Sequence, residues 1–262
     1  MKENVLDVST MNKEDETVDE ILGGRLRIFQ KKKGYRFSLD AFLLAHFIRL
    51  KKDDLIIDLG TGSGVIAIIM GKRKECGKVV GIDVQEELVD MAKRSVEVNT
   101  LCNKVEIRQG DLRQIKQLFT SQSFDIVIFN PPYRKLKSGR INPNNQKSIA
   151  RHEITGTLSD FLHASAFVLK KSGRTYMIYP ATKMVGLLSS MKSAGIEPKR
   201  MQIVHSYSIS RGEFVLVEGI KGGKEELEVL PPLFVYAEGG DYTEAMTSIF
   251  RELSDLAKGA DE

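Results

Sequence analysis

No apolar run in this sequence is long enough to cross a bilayer: the longest, Val65–Met70, falls far short of the ~18 to 20 residues a spanning helix requires. Met1–Thr10 is polar and of mixed charge, without the apolar centre of a secretory signal, so a cytoplasmic protein with no membrane partner is expected. Cysteine is nearly absent. Cys76 and Cys102 lie apart and outside any C-x-x-C pair, which argues for reduced thiols. His46, His152, His163 and His205 are scattered without Cys/His ligand spacing, and no metal is expected.

What is present is a chain of 262 residues, 42% hydrophobic, enough for one α/β domain with short additions. The net charge of +4 hides an asymmetry. Met1–Glu20 carries seven acids against Lys2 and Lys13, a balance of −5, so Ile21–Glu262 carries +9. Residues 1–20, charged and without apolar periodicity, should be a disordered acidic tail outside the fold, with 21–262 a single domain. A basic domain is compatible with a phosphate-rich partner, and as readily with a merely soluble basic protein. A monomer or weak dimer is expected.

From Phe37 onward, Leu39, Phe42, Leu43, Phe47 and Leu50 recur at helical spacing, with Ser38 placed to cap the first turn. Five short apolar runs then read as buried strands: Leu55–Leu59, Val79–Asp83, Val105–Gln109, Phe124–Phe129 and Thr175–Tyr179. Helix-length segments separate them, at Val65–Lys74, Glu86–Val98, Arg113–Phe119 and Leu158–Lys170. Such alternation predicts a doubly wound, mostly parallel sheet covered on both faces. After a helical stretch at Ala181–Ser193, Arg200–Tyr207 and Glu213–Ile220 are joined by a link too short for a parallel crossover, predicting an antiparallel hairpin at the sheet edge. Pro231-Pro232 breaks the chain, Leu233–Tyr236 is a short extension, and Tyr242–Leu256 has helical periodicity.

Asp58-Leu59-Gly60-Thr61-Gly62-Ser63-Gly64 leaves the first of these strands and enters a helix, where residues without side chains let the backbone turn sharply and approach a ligand. The third glycine follows G-x-G-x-G spacing, one residue tighter than the dinucleotide fingerprint. Asp83 ends the second strand about twenty residues on, where a carboxylate accepts ribose hydroxyls. Asp111, in Gln109-Gly110-Asp111-Leu112, ends the third and is placed to meet an adenine amino group. Either acid alone more often caps a helix or forms a turn.

This series resembles the class I methyltransferase family, whose fold is a seven-stranded Rossmann-like sheet with an antiparallel edge hairpin. The resemblance covers most of Leu55–Ile220 and implies S-adenosylmethionine as cofactor. It implies that Asp58, Gly60, Gly62, Gly64, Asp83, Asp111, Leu112 and Asn130 line that cofactor.

Asn130-Pro131-Pro132-Tyr133 follows the fourth strand, at the carboxyl edge where the cofactor's methyl group should point. Consecutive prolines remove backbone donors and restrict the chain, so the Pro131 carbonyl and the Asn130 amide oxygen can converge on one NH₂ group. The chemistry needs this because the lone pair of an adenine or amide nitrogen is delocalised and attacks poorly. Orientation toward the methyl group can contribute up to ~7 to 11 kcal/mol. Tyr133 offers a stacking face worth ~1 to 3 kcal/mol for a nucleobase. Asn130, Pro131, Pro132 and Tyr133 are thus the candidate catalytic residues. The motif resembles that of methyltransferases acting on adenine N6, guanine N2 or glutamine side chains.

Lys31-Lys32-Lys33-Gly34-Tyr35-Arg36-Phe37-Ser38-Leu39-Asp40 and Ala41–Ala45 resemble the lead-in segment of bacterial tRNA1(Val) adenine-N6 methyltransferases. Ala150-Arg151-His152-Glu153, Leu230-Pro231-Pro232-Leu233 and Gly240-Asp241-Tyr242-Thr243 match the same family. That resemblance implies a tRNA partner and methylation of an adenosine next to the anticodon. By the same likeness, Phe37, Ser38 and Asp40 either wrap the cofactor's methionine end or only start a helix. Six basic residues, Arg134, Lys135, Lys137, Arg140, Lys147 and Arg151, occupy a stretch without acids, suited to following a phosphate backbone or to an ordinary solvated loop. An anticodon-loop adenosine is already unpaired and costs less to extrude than a duplex base. The alternatives are a glutamine methyltransferase of translation release factors, expected to carry a larger helical domain before the glycine turn, and a catalytically silent RNA-binding paralogue. A nicotinamide oxidoreductase would leave N-P-P-Y unexplained.

Overall fold

The computed structural model describes residues 12–33, 36–131 and 156–258. Its first feature corrects an expectation. β1 (Glu16–Ile21) pairs antiparallel with β2 (Leu26–Lys31), from Glu16 opposite Lys31 to Ile21 opposite Leu26, so the acidic segment ends inside the fold. Glu16 is only 2% exposed because Arg94 grips both of its carboxylate oxygens, at 2.7 and 3.0 Å. Two more bonds fasten the hairpin to the same helix: Phe29 N donates to Ser95 Oγ at 2.9 Å, and Arg27 N to Asn99 Oδ1 at 3.0 Å. A strand buried through an ion pair leaves no apolar alternation to read.

α1 (Leu39–Phe47) leads into the alternating unit β3 (Asp54–Leu59), α2 (Val65–Lys72), β4 (Cys76–Asp83), α3 (Glu86–Val98) and β5 (Val105–Gln109). A 3₁₀ turn at Leu112–Gln114 runs into α4 (Ile115–Leu118), then β6 (Phe124–Phe129). α5 (Leu158–Val168) passes directly into β7 (Leu169–Pro180), so Leu169 and Lys170 are strand where helix was expected. After a 3₁₀ turn at Ala181–Lys183 come α6 (Met184–Ser193), β8 (Ile196–His205), β9 (Gly212–Lys221), β10 (Glu228–Val229), β11 (Leu233–Phe234) and α7 (Glu244–Lys258).

Among the described residues the main sheet has nine strands, in the order β10-β8-β9-β7-β6-β3-β4-β5, with β11 also on β8. Seven are long; β10 and β11 have two residues each. β3 to β7 are parallel, and β9 runs antiparallel to both β7 and β8. The expected antiparallel hairpin, β8 and β9, is present at that end of the sheet, and the two-residue strands β10 and β11 add to the outer side of β8. Successive side chains go to opposite faces. Ile56, Ile126, Ile128 and Tyr176 join α1, α2, α3 and α7 in one core; Ile57, Val127, Phe129 and Met177 join α5 and α6 in the other.

Two buried arginines hold the end of α1 and the chain leaving it against the sheet. Arg200 Nη2 donates to the Phe47 carbonyl at 2.7 Å, while its Nε donates to Glu218 Oε2 at 2.8 Å. Arg174 donates to the Arg49 carbonyl at 2.5 Å and to Asp54 Oδ2 at 2.6 Å. At the other end of α1 the expected serine cap is rearranged. Ser38 stands at the N-cap, but its hydroxyl donates to Asp40 Oδ1 at 2.6 Å, and the Asp40 carboxylate instead takes the Ala41 N–H at 3.0 Å. A carboxylate is the stronger acceptor.

Candidate active site

Sheet register assembles the site. Leu59 pairs with Phe129 on one side and with Ile82 on the other, and Asp83 pairs with Gln109. Gly60, Asp83, Gly110-Asp111 and Asn130 therefore follow the ends of four adjacent strands at one carboxyl edge. That edge is where open α/β sheets bind ligands.

The glycine turn is tied to its neighbour: the N–H groups of Gly60 and Thr61 both donate to the Ile82 carbonyl, at 2.8 and 2.9 Å. Gly64 takes φ +82° at the start of α2, and a Cβ there would stand 3.1 Å from Ala92 Cβ, so both its backbone conformation and the approach of α3 disfavour a side chain at this position. Gly60, at φ +71°, lies under the Phe161 ring in the same way. Asp83 Oδ2 accepts from Gly62 N at 3.0 Å and Oδ1 from Gln85 N at 2.9 Å, so the second strand's carboxylate shapes the first strand's turn. Burial pushes the Asp83 carboxyl up from its ordinary range.

Asp58 is buried at the base of the turn, and its Oδ2 accepts the Thr61 hydroxyl at 2.7 Å. Burial pushes its carboxyl up to about 7; the Thr61 hydrogen bond opposes this and the charge of Asp83 adds to it. The folded chain thus keeps a proton that the unfolded chain releases near the ordinary 3.8. This contribution to stability is complete below about pH 4 and is lost as pH rises to about 7, a change on the order of 4 kcal/mol for this group. Asp58→Asn should flatten the decline of unfolding free energy across that window, measured by urea titration at a series of pH values. An unaltered slope would show that Asp58 does not carry it.

Asp111 caps the 3₁₀ turn, its Oδ1 accepting Arg113 N at 2.9 Å, while Arg113 Nη2 reaches Oδ2 at 2.6 Å. The guanidinium holds the Asp111 carboxyl below the usual range. Leu112 beside it is buried. Asn130 is half-buried and Pro131 buried at the end of β6; Pro132, Tyr133, the basic stretch 134–151 and His152-Glu153 lie outside the described residues. Asn130 Nδ2 donates to Asp40 Oδ2 at 2.9 Å. Sequence reasoning placed Asp40 in the lead-in segment but missed this bond, because the partners lie 90 residues apart and no spacing signals it. Phe37 packs edge-on against Phe42, with ring centres 5.7 Å apart.

The family described as "Methyltransferase domain" matches residues 50–215, from the strand before the glycine turn to the last long strand. The chain belongs to that methyltransferase family. Among curated relatives, a tRNA1(Val) (adenine(37)-N6)-methyltransferase of Porphyromonas gingivalis is 29% identical over 133 residues, 50% of this chain and 51% of that protein. The chain thus matches about half the length of that relative. A protein of the same name from Phocaeicola vulgatus is 25% identical over 202 residues, 70% of this chain and 82% of its own. Among solved structures, a predicted O-methyltransferase from Agrobacterium tumefaciens superposes with TM-score 0.67 at 19% identity, covering 82% of this chain and 97% of that one. TYW2 of M. jannaschii, in complex with AdoMet, gives 0.54 at 15% identity, covering 80% and 86%. These two show the shared fold, and the methyltransferase sheet described above is that fold.

Among the described residues, no helix is long and apolar enough to cross a membrane, and no group of three or more His, Cys, Asp or Glu side chains is arranged to hold a metal.

Proposed function

We propose that this methyltransferase transfers the methyl group of S-adenosylmethionine to the N6 amine of an adenosine next to the anticodon of a tRNA. The observation that carries the reading is the position of Asn130: it opens N-P-P-Y at the strand end beside Gly60, and its NH₂ is already committed to Asp40. Its amide oxygen is then the group offered to a substrate amine. The names of the curated relatives support adenine N6 in tRNA.

The residues present fit the cofactor. Three turn glycines with positive φ make the sharp turn from β3 into α2, and Asp83 and Asp111 stand at the next two strand ends, in order for ribose and adenine. S-adenosylmethionine, when bound, supplies an electrophilic methyl on a sulfonium. The chain's own part is to hold and orient. Asn130 Oδ1 and the Pro131 carbonyl accept the two hydrogens of the amine, which favours a pyramidal nitrogen whose lone pair is available, and Tyr133 stacks the base. The basic residues from Arg134 to Arg151 follow the tRNA backbone. The N6 proton passes to water after transfer, since methylation leaves a cationic amine that loses it readily.

Incubation with methyl-labelled S-adenosylmethionine and unmodified total tRNA, and separately with a translation release factor, tests the assignment. Label is expected in tRNA, recovered as N6-methyladenosine after nuclease digestion. Label confined to the release factor would replace adenine by glutamine as the substrate.

A further inference from the structure

The site just proposed works only if Asn130 turns its amide oxygen, and not its NH₂, toward a substrate amine that itself donates hydrogens. We infer that Asp40 is a positioning residue that fixes the orientation of the Asn130 amide and so makes the site an acceptor of amino groups; the inference rests on the reading above. An ionised carboxylate has only acceptors. With Asn130 Nδ2 donating to Asp40 Oδ2 at 2.9 Å, the reversed amide would set oxygen against oxygen and present NH₂ to NH₂ at the substrate.

Asp40 is itself held. Its Oδ1 accepts from the Ser38 hydroxyl at 2.6 Å and from Ala41 N at 3.0 Å, and the latter is a backbone donor that cannot turn away. It stands in the first turn of α1, whose far end is clamped by Arg200. The orientation of the amide is thus transmitted from a helix fixed to the sheet.

This arrangement makes a prediction that a general structural role does not. In Asp40→Asn, the backbone N–H of Ala41, which the Ser38 carbonyl also accepts at 3.1 Å, disfavours a second donor at the δ1 position, so the new amide places its oxygen there and its NH₂ toward Asn130. Asn130 must then answer with its own oxygen and present NH₂ to the substrate. In the double variant Asp40→Asn/Asn130→Asp, the carboxylate introduced at position 130 accepts from that NH₂ and keeps its second oxygen for the amine. The hydrogen-bond polarity at the substrate is restored.

The experiment measures methyl transfer by the wild type, Asp40→Asn, Asn130→Asp and the double variant, on whichever of tRNA and release factor the wild type labels. Asp40→Asn is expected to lower kcat about ten- to a hundredfold, with the KM for S-adenosylmethionine within about twofold. The double variant should recover at least about tenfold over Asp40→Asn, a coupling that independent losses cannot produce. A double variant no better than the product of its parents, or an unaltered kcat in Asp40→Asn, would overturn the inference. A wild type that labels only release factor would overturn the tRNA reading and leave the cycle to be run on glutamine. A second measurement needs no substrate: in protein labelled with ¹⁵N-asparagine, the Asn130 side-chain NH₂ protons should shift in Asp40→Ala. Unmoved resonances would also overturn it.

Discussion

Asn130→Ala is expected to lower the rate of methyl transfer about a hundred- to a thousandfold, with S-adenosylmethionine affinity within about twofold of wild type. The size follows from the chemistry of the acceptor. An adenine amino group is a poor nucleophile because its lone pair is shared with the ring, and it gains reactivity only when its hydrogens are held out of the ring plane. In the proposed function Asn130 Oδ1 and the Pro131 carbonyl, which follow β6, accept them. Alanine removes one of the two and also leaves the Asp40 carboxylate without the amide that donates to it. In the proposed function the cofactor lies instead on the glycine turn and on Asp83 and Asp111, at neighbouring strand ends. Single-turnover transfer with labelled cofactor, alongside calorimetric titration of the cofactor alone, separates the two. Transfer at the wild-type rate would remove Asn130 from the chemistry, whereas loss of cofactor binding in parallel would mean that it serves the cofactor and not the amine.

The division between what could and could not be read from the sequence follows the kind of force holding each element. α3 runs from Glu86 to Val98, the bounds expected of the helix-length segment there, and β5 and β6 have their expected bounds, because apolar burial sets all three. The turn glycines were legible for a related reason: their positive φ angles and the close approach of Ala92 leave little else permissible at Gly64. β1 was not legible, since what buries Glu16 is Arg94, 78 residues away in sequence, and an acid beside Thr17, Asp19 and Glu20 reads as solvated. The residues of the site divide along the same line. Asp83 is the last residue of β4, Asp58 lies one residue before the end of β3, and Asp111 and Asn130 follow β5 and β6, positions that the strand pattern alone made legible; the bond from Asn130 to Asp40 joins two elements that sequence order does not bring together, and only the packing of α1 on the sheet reveals it. The start of β7 was hidden as well, because Leu169 continues the helical spacing of α5 and the chain changes from helix to strand without a turn residue between them.

That packing can be tested at its most demanding contact. Arg200→Ala is expected to destabilise the fold by about 3 to 5 kcal/mol and to lower the melting temperature by about 6 to 20 °C. Arg200 is only 6% exposed, and its guanidinium lies 4.0 Å from the centre of the Phe47 ring while bonding Glu218 and the Phe47 carbonyl. Truncation strands the Glu218 carboxylate in a buried setting without its cation, opens a cavity beneath Phe47, and frees a carbonyl at the last turn of α1. The penalty comes from what remains unpaired more than from the pair itself, because bringing both charges out of water already costs much of what their attraction returns. Arg200→Met combined with Glu218→Met should therefore lie within about 1 to 2 kcal/mol of wild type, although it removes the same salt bridge. The pair of variants also separates stability from positioning. The double-methionine protein is expected to fold well but to lose the donor to the Phe47 carbonyl, so any fall in its kcat measures how far Arg200 governs the placement of α1 and, through Asp40, of the Asn130 amide. If thermal unfolding of Arg200→Ala matched wild type, Arg200 would have no part in holding α1 or in fixing the site, and Arg174 would be left as the remaining arginine clamp.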